Sequence, residues 1–313
     1  MVDSRRILVT GPDGFVGTEV CGALLERKHM VRGAQWTAGP MPKGCESVVV
    51  GNIDANTNWD NALKDVDTIV HLAARVHVMN DTARDPLSAF REVNVEGTRR
   101  LAECAAAAGV QHFIFISSIK VNGESTADKP FTEGDVSNPE DSYAISKWEA
   151  EQVLREIEAE TGMGVTILRP PLIYEPGVKA NFLKMIQFVK KGIPLPFGSI
   201  NNKRSLLGLG NFADLICRCV EEDAAKGETF VVSDGKDVST ADLVRKISVA
   251  LKKKPRVVSV SPSLLRLLGC LTGKQAMIKR LTESLVIDSS KVRSVLNWTP
   301  SYSMEEELVR TVK

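Results

Sequence analysis

Tyr143 and Lys147 stand four positions apart in the stretch Ser142-Tyr143-Ala144-Ile145-Ser146-Lys147. On a helix that spacing puts both side chains on one face. A phenol titrates near 10, so a free tyrosine neither takes nor gives a proton readily at neutral pH. A cation beside it stabilises the phenolate and lowers that value. A shift of roughly 3 units asks for about 4 kcal/mol of differential stabilisation. A pair Ser117-Ser118, its second serine 25 residues before the tyrosine, offers a hydroxyl that could bond the same reacting oxygen. The chemistry this trio suits is proton transfer at an alcohol or carbonyl. A lone YxxxK is most simply a surface pair on a helix, so the reading depends on what else the chain carries.

It carries a glycine turn. Arg5-Arg6-Ile7-Leu8-Val9-Thr10 reads as a short buried parallel strand, and Thr10-Gly11-Pro12-Asp13-Gly14-Phe15-Val16-Gly17 follows it. A helical pattern opens at Gly17, with Val20, Leu24 and Leu25 in register. Gly11 permits the tight turn, Gly14 lets the backbone approach a pyrophosphate, and Gly17 lets the helix pack on the sheet. The helix N-terminus then faces the phosphates. The spacing is GxxGxxG, and its place on the first strand of an α/β chain favours dinucleotide binding over an ordinary strand-to-helix turn. A bound nicotinamide would supply part of the positive charge that Tyr143 needs.

The elements that must position these groups alternate. Strands are expected near residues 6–10, 31–35, 47–51, 68–72, 112–117 and 165–168, with helices between them, notably 87–108 and 143–161. This alternation predicts an α/β fold with a Rossmann-type doubly wound parallel sheet. The strand His112 to Ile116 runs into Ser117-Ser118, at the edge where open α/β sheets bind ligands. After Arg169-Pro170-Pro171 the character changes to a Pro/Gly-rich run (Gly192 to Gly198) with basic residues. The expected division is 1–170 as the dinucleotide-binding domain and 171–313 as a smaller C-terminal substrate-binding lobe. Segments around 203–235 return to the first domain.

In these segments the chain resembles the extended short-chain dehydrogenase/reductase family, in its NAD-dependent epimerase/dehydratase branch. The carrying stretches are TGPDGFVG (10–17), HLAA (71–74), NVEGT (94–98), FISSIKVNGE (115–124), SYAISK (142–147), LRPPLIYEPG (168–177) and KRSLLGLGNFADLI (203–216). The resemblance implies NAD or NADP as cofactor, a UDP-sugar as substrate and a homodimer. It implies that Ser118, five residues before Gly123, Tyr143 and Lys147 carry the reaction at the sugar C4. It implies cofactor contacts from Gly11, Gly14, Phe15, Val16, Gly17, Gln35, Trp36, Asn52, Ile53, Leu72, Ala73, Ala74, Asn94, Ser117, Tyr143, Lys147 and Pro170. Substrate contacts fall to Ser118, Lys120, Asn181 and Arg204, the last two on the diphosphate. The version SIKVNGE looks like a bacterial subgroup linked to surface-polysaccharide sugars, which holds both 4-epimerases and UDP-hexosamine 4-keto reductases. A 4-epimerase is expected first. A reductase of a UDP-4-keto-6-deoxy-hexosamine is the alternative, and a non-catalytic NADP sensor the remote one.

The chain departs from the branch in places. Relatives that use NAD end the second strand on an acidic residue that bonds the ribose 2′-hydroxyl. Here no Asp or Glu occurs between Glu26 and Glu46, and Gln35 or Trp36 occupies the position. Asn52 stands where an Asp is common, Glu175 replaces the usual Gly of a YGPG turn, and Gly208 and Gly210 replace bulkier residues.

Composition sets the remaining bounds. The 313 residues carry a net charge of +1, which gives no footprint for nucleic acid or an anionic membrane. Six scattered cysteines, with no CxxC, fit reduced thiols and a cytoplasmic protein. Cys217 and Cys219 read as core packing, so no metal is expected. No leader is expected before the first strand. Ser263 to Leu271 is apolar but too short to span a bilayer, and reads as a packed or peripheral helix. His71 reads as a packed residue at a strand end; His77 is open between loop and substrate contact. Lys252-Lys253-Lys254 reads as a solvated helix end, and Lys279 and Arg280 as weaker partners for a diphosphate.

Overall fold

The computed structural model describes residues 4–76, 85–174 and 180–312. Its strands are β1 (Arg6–Thr10), β2 (Met30–Gln35), β3 (Glu46–Val49), β4 (Thr68–His71), β5 (His112–Ile116), β6 (Gly164–Arg169), β7 (Ile173–Tyr174), β8 (Leu207–Gly208) and β9 (Thr229–Val231). Seven of them form one parallel sheet in the order β3-β2-β1-β4-β5-β6-β9. The register runs Thr10 against Ala34 on one side and Thr10 against His71 on the other. The chain therefore departs in opposite directions from β1, and the crevice beyond the carboxyl ends of β1 and β4 is the place where such sheets take ligands.

The helices are α1 (Phe15–Glu26), α2 (Pro86–Arg91), α3 (Gly97–Ala107), α4 (Ser142–Thr161), α5 (Ala180–Lys190), α6 (Leu209–Glu221), α7 (Thr240–Ala250), α8 (Pro262–Leu271), α9 (Gln275–Thr282), α10 (Ser290–Leu296) and α11 (Met304–Thr311). Strand alternation divides the hydrophobic residues between the two faces. Ile7 and Val9 of β1 join Val20, Leu24, Phe212 and Ile216 under α1 and α6. Leu8 joins Ile69, Phe113, Phe115, Leu101 and Leu154 under α3 and α4. Each such side chain contributes about 1.5–3 kcal/mol by leaving water. A third cluster gathers Tyr174, Phe182, Val189, Leu195, Val244, Ile247 and Leu265. Cys217 and Cys219 are wholly buried in the first cluster, and burial pushes both thiols up, Cys217 to about 12. No described helix is long and apolar enough to cross a membrane.

The sequence pattern differs from the structure at one informative place. The expected helix over 87–108 is present but widened at its middle: α2 runs to Arg91, a π-helical turn spans Glu92–Glu96, and α3 continues from Gly97 with no residue leaving helical geometry between them. The wide turn carries Asn94, whose side chain is held by residues far away in sequence, and such turns cluster at functional sites. His77 and Glu175 lie outside the described residues, as does the side chain of Asn181.

Candidate functional site

The glycine turn forms a close cradle. Gly11 sits at φ 67°, and its N–H donates to the Ala34 carbonyl at 3.3 Å. Gly14 N–H donates back to the Gly11 carbonyl at 3.2 Å. A Cβ on Gly17 would lie 2.0 Å from the Gly11 oxygen, so only hydrogen fits there. The first turn of α1 has no acidic residue, and Gly14, its N-cap, uses no side chain to cap it. The helix N-terminus is thus open to an anion. Phe15 is exposed and Val16 half-buried beside this turn.

A loop from β4 passes alongside. Leu72, Ala73 and Ala74 are half-buried, and the Ala73 backbone lies 3.4 Å from where a Gly11 Cβ would be. Thr10 fixes this loop: its Oγ1 accepts from Leu72 N–H at 3.1 Å and Ala73 N–H at 3.0 Å. The same hydroxyl stands 2.8 Å from His71 Nδ1, and His71 Nε2 stands 3.0 Å from Thr98 Oγ1. Burial pushes His71 down to about 3, with Lys147 adding to the effect, so it is a neutral packing group. Asn94 is buried; its Oδ1 accepts from Arg75 N–H at 2.8 Å, and its Nδ2 donates to the Arg75 carbonyl and to Ser146 Oγ. Ile53 backs Gly97, where a Cβ would come within 2.7 Å of its Cγ2; Asn52 is exposed.

At the end of β2, Gln35 is buried, and its amide is committed to Ser47 Oγ and the Pro40 carbonyl. Trp36, 69% exposed, is the side chain that reaches solvent there. The structure thus separates two residues that the sequence left equivalent.

Lys147 and Ser118 stand at the end of β5, and Tyr143 lies one turn before Lys147 on α4, its ring 6.2 Å from that of Phe90. Asp141 caps α4, its Oδ1 accepting from Ala144 N–H at 2.8 Å, and this fixes where Tyr143 falls on the first turn. Lys147 is buried and donates to the Ile116 carbonyl at 2.8 Å, with its ammonium 4.5 Å from the Phe115 ring centroid. That bond ties the helix to the strand end that carries Ser117 and Ser118. Ser118, half-buried and extended, starts the 3₁₀ turn Ile119–Val121 and accepts from Lys120 N–H at 3.3 Å. Pro170 is buried, and its carbonyl accepts from Ile119 N–H at 3.0 Å.

The electrostatics differ from the expectation for the protein alone. Burial, then the charge of Asp141, pushes the Tyr143 phenol up rather than down. Burial pulls Lys147 down to about 7, against the opposing pull of Glu151. Each charged form is expensive where the site is dry and no further charge is present.

Three features were not read from the sequence. Ser117 Oγ donates to Glu151, which is paired with Arg169, and Arg169 Nη1 donates to Asn122 Oδ1 at 3.0 Å. This buried network braces the strand end from below. Second, Lys120 is held by two carboxylates, Glu124 at 2.6 Å and Asp141 at 2.5 Å, so its charge is already matched. Third, Asp141 couples the Ser118 turn to the start of α4; an Asp directly before Ser142 was the signal that could have revealed it.

On the other side of Glu124, a cavity of about 200 Å³ is lined by Glu140, Asp141, Lys279, Arg280 and Glu283. Arg204 sits near these charges, its Nη1 buried and unpartnered among the described residues. Burial pulls its guanidinium down, with Glu124 and Glu283 acting in opposition. Arg204 does not line this cavity, but an anion reaching its Nη1 would meet a donor with no other partner among the described residues.

Residues 7–233 match the NAD dependent epimerase/dehydratase family. The chain is 44% identical over 312 residues to a protein of Vibrio cholerae described as UDP-glucose 4-epimerase, covering 99% of this chain and 95% of that one. It is 28% identical over 323 residues to the N-acetyl-alpha-D-glucosaminyl-diphospho-ditrans,octacis-undecaprenol 4-epimerase of Escherichia coli O157:H7, covering 98% and 94%. The crystal structure of UDP-N-acetylglucosamine 4-epimerase from Bacillus cereus superposes with a TM-score of 0.80 at 19% identity, over 99% of this chain and 98% of that one, a likeness of fold.

Proposed function

The chain belongs to the NAD dependent epimerase/dehydratase family, and on that premise we propose that it interconverts the C4 epimers of a UDP-hexose or UDP-N-acetylhexosamine. The observation that carries the reading is the bond from Lys147, one turn after Tyr143 on α4, to the Ile116 carbonyl at the strand end that carries Ser118, together with a glycine cradle that admits no Cβ at Gly17. The relative 44% identical along almost the whole chain supports the reaction and the substrate class.

The cradle fits NAD: Gly11, Gly14 and Gly17 would hold its pyrophosphate at the α1 N-terminus, and Lys147 its ribose. When bound, NAD would supply a reversible hydride acceptor at the sugar C4. Tyr143 takes the C4 hydroxyl proton as the hydride leaves and returns it when the carbonyl is reduced on its other face. Ser118 donates a hydrogen bond to the same oxygen. Lys147 supplies positive charge beside the phenol, which burial alone leaves hard to ionise. Arg204, whose Nη1 has no partner among the described residues, is assigned to the diphosphate, together with Asn181. Within this proposal, residues 1–170 bind the dinucleotide, the part after 170 forms the substrate side, and two copies associate.

The end of β2 favours a second reading. Gln35 is turned inward and Trp36 outward, with no carboxylate to grip an NAD ribose. An exchanging cofactor suits a 4-keto reductase. The test is to supply UDP-glucose and UDP-N-acetylglucosamine without added cofactor and to follow the galacto epimers by NMR. Epimer formation supports the proposal. No epimer, with NAD(P)H consumed on a UDP-4-keto-6-deoxy-hexosamine, leaves the reductase.

A further inference from the structure

The net charge of +1 conceals a strong segregation. Residues 176–213 contain six Lys or Arg and 243–282 contain ten, with no Asp or Glu in either segment. The remainder of the chain holds 24 cations against 39 carboxylates. The two cationic segments are joined in space. Leu195 N–H donates to the Arg256 carbonyl at 2.9 Å, Val258 N–H to the Leu195 carbonyl at 2.8 Å, and Arg256 to the Gly192 carbonyl at 3.1 Å.

Helix α8 lies on this side of the molecule and is amphipathic in an unusual sense. Leu265 and Gly269 face inward, and a Cβ on Gly269 would come within 2.8 Å of Ile278 on α9. Leu264, Leu267, Leu268 and Leu271 are 48%, 56%, 48% and 75% exposed, at the spacing i, i+3, i+4, i+7 that makes one stripe. Phe188, Ile193 and Val258, on the joined segments, are also exposed. Lys190, Lys191, Lys252, Lys253, Lys254 and Lys274 are exposed around them, and none has a carboxylate partner among the described residues. Other cations of the two segments are paired, as in Arg245 with Asp242, Lys246 with Glu305 and, on α9, Lys279 with Glu283.

We propose that this face docks on a membrane surface bearing anionic lipid, with the α8 leucines entering the headgroup boundary and the lysines around them meeting lipid phosphates. A helix with one apolar stripe and a basic rim is the arrangement that lies in an interface, buried by about 5–10 Å. The stripe stands on a single outward helix face, so it suits a planar surface. A second copy would bring two cationic faces together, which the charge opposes. The docking leucines and lysines are distinct from Ser118, Tyr143, Lys147 and the glycine turn, and from Arg204, Lys279 and Arg280, so docking would hold the enzyme at the membrane without using a residue of its catalytic crevice.

The test is co-sedimentation of the full chain with sucrose-loaded vesicles of phosphatidylcholine alone or with about one-third phosphatidylglycerol. Binding is expected only to the anionic vesicles, weakening as salt shortens the screening length below about 10 Å. Each lysine removed from 252–254 should lower the partition coefficient by about fivefold. Leu267→Glu with Leu271→Glu should abolish binding while leaving the circular dichroism and the NAD affinity unchanged, controls that do not depend on which sugar reaction the enzyme runs. Equal binding to both vesicle types, or none to either, overturns the proposal. A wild-type dimer that Leu271→Glu converts to monomer in the ultracentrifuge also overturns it, since a second copy would then cover the stripe.

Discussion

Gly17→Ala is the sharpest test of the cradle. The added Cβ would stand 2.0 Å from the Gly11 carbonyl oxygen, 2.8 Å from Pro12 Cα and 2.9 Å from the Gly11 carbonyl carbon. Ordinary contact begins near 3.5 Å, so about 1.5 Å must be recovered by moving α1 or the Gly11 turn. Neither moves freely. Gly11 is held at φ 67° and bonded to Ala34, while α1 is packed on α6 through Val20 and Leu24. The displaced groups are the backbone that would face the pyrophosphate, and misplacement by about 1 Å commonly costs 10²-fold. NAD affinity should therefore fall by about 100-fold, or roughly 2.7 kcal/mol. Gly22→Ala is the control on the same helix: nothing lies within 4 Å of its new Cβ. Removing that glycine's backbone freedom should stabilise the protein by about 0.5–1 kcal/mol with NAD affinity unchanged. Titration calorimetry of NAD into cofactor-stripped protein, with thermal unfolding alongside, reads both variants. Gly17→Ala binding NAD within about threefold of wild type would refute the cradle.

Three more outcomes follow from the geometry. Tyr143→Phe should keep folding and NAD affinity but lose about 10²–10⁴-fold in turnover, and a variant retaining more than about a tenth of the rate removes Tyr143 from the proton step. Arg204→Ala should weaken UDP-sugar binding by a few kcal/mol at constant NAD affinity, about the cost of a lost charge-assisted pair, whereas equal weakening of both ligands in calorimetry would place Arg204 in the fold instead. His71 and His112 are held neutral down to about 3, while an unfolded imidazole takes its proton near 6.5. The unfolded chain thus binds more protons across that window, so stability falls as pH drops from about 6.5 toward 3, by about 1.4 kcal/mol per pH unit for each histidine. Urea unfolding between about pH 7 and 5 measures the slope, and a flat profile contradicts it.

What the sequence made legible had a local cause. The strand and glycine turn at 6–17, the YxxxK helix and the serine pair each declare their geometry within a few residues. The rest depends on distant partners. The π-turn at Glu92–Glu96 accompanies bonds between Asn94 and both Arg75 and Ser146, which no periodicity reports. The buried Glu151–Arg169 pair joins positions 18 residues apart on a helix and a strand. Lys120, expected at the substrate, is brought by the fold against Glu124 and Asp141, partners that no local pattern announces. The expected fall in the Tyr143 titration ignored burial and the charge of Asp141, both of which push the phenol up. Total charge, averaged over 313 residues, hid the segregation along 176–213 and 243–282.

The central claim is that one hydride leaves C4 and the same one returns. UDP-N-acetylglucosamine or UDP-glucose deuterated at C4, incubated with the protein and no added reductant, tests it directly by NMR and mass spectrometry. The account predicts a galacto epimer that keeps its deuterium at C4, with no net change in NAD. No epimer from either sugar, or an epimer whose C4 hydrogen comes from water or from added NAD(P)H, would contradict it.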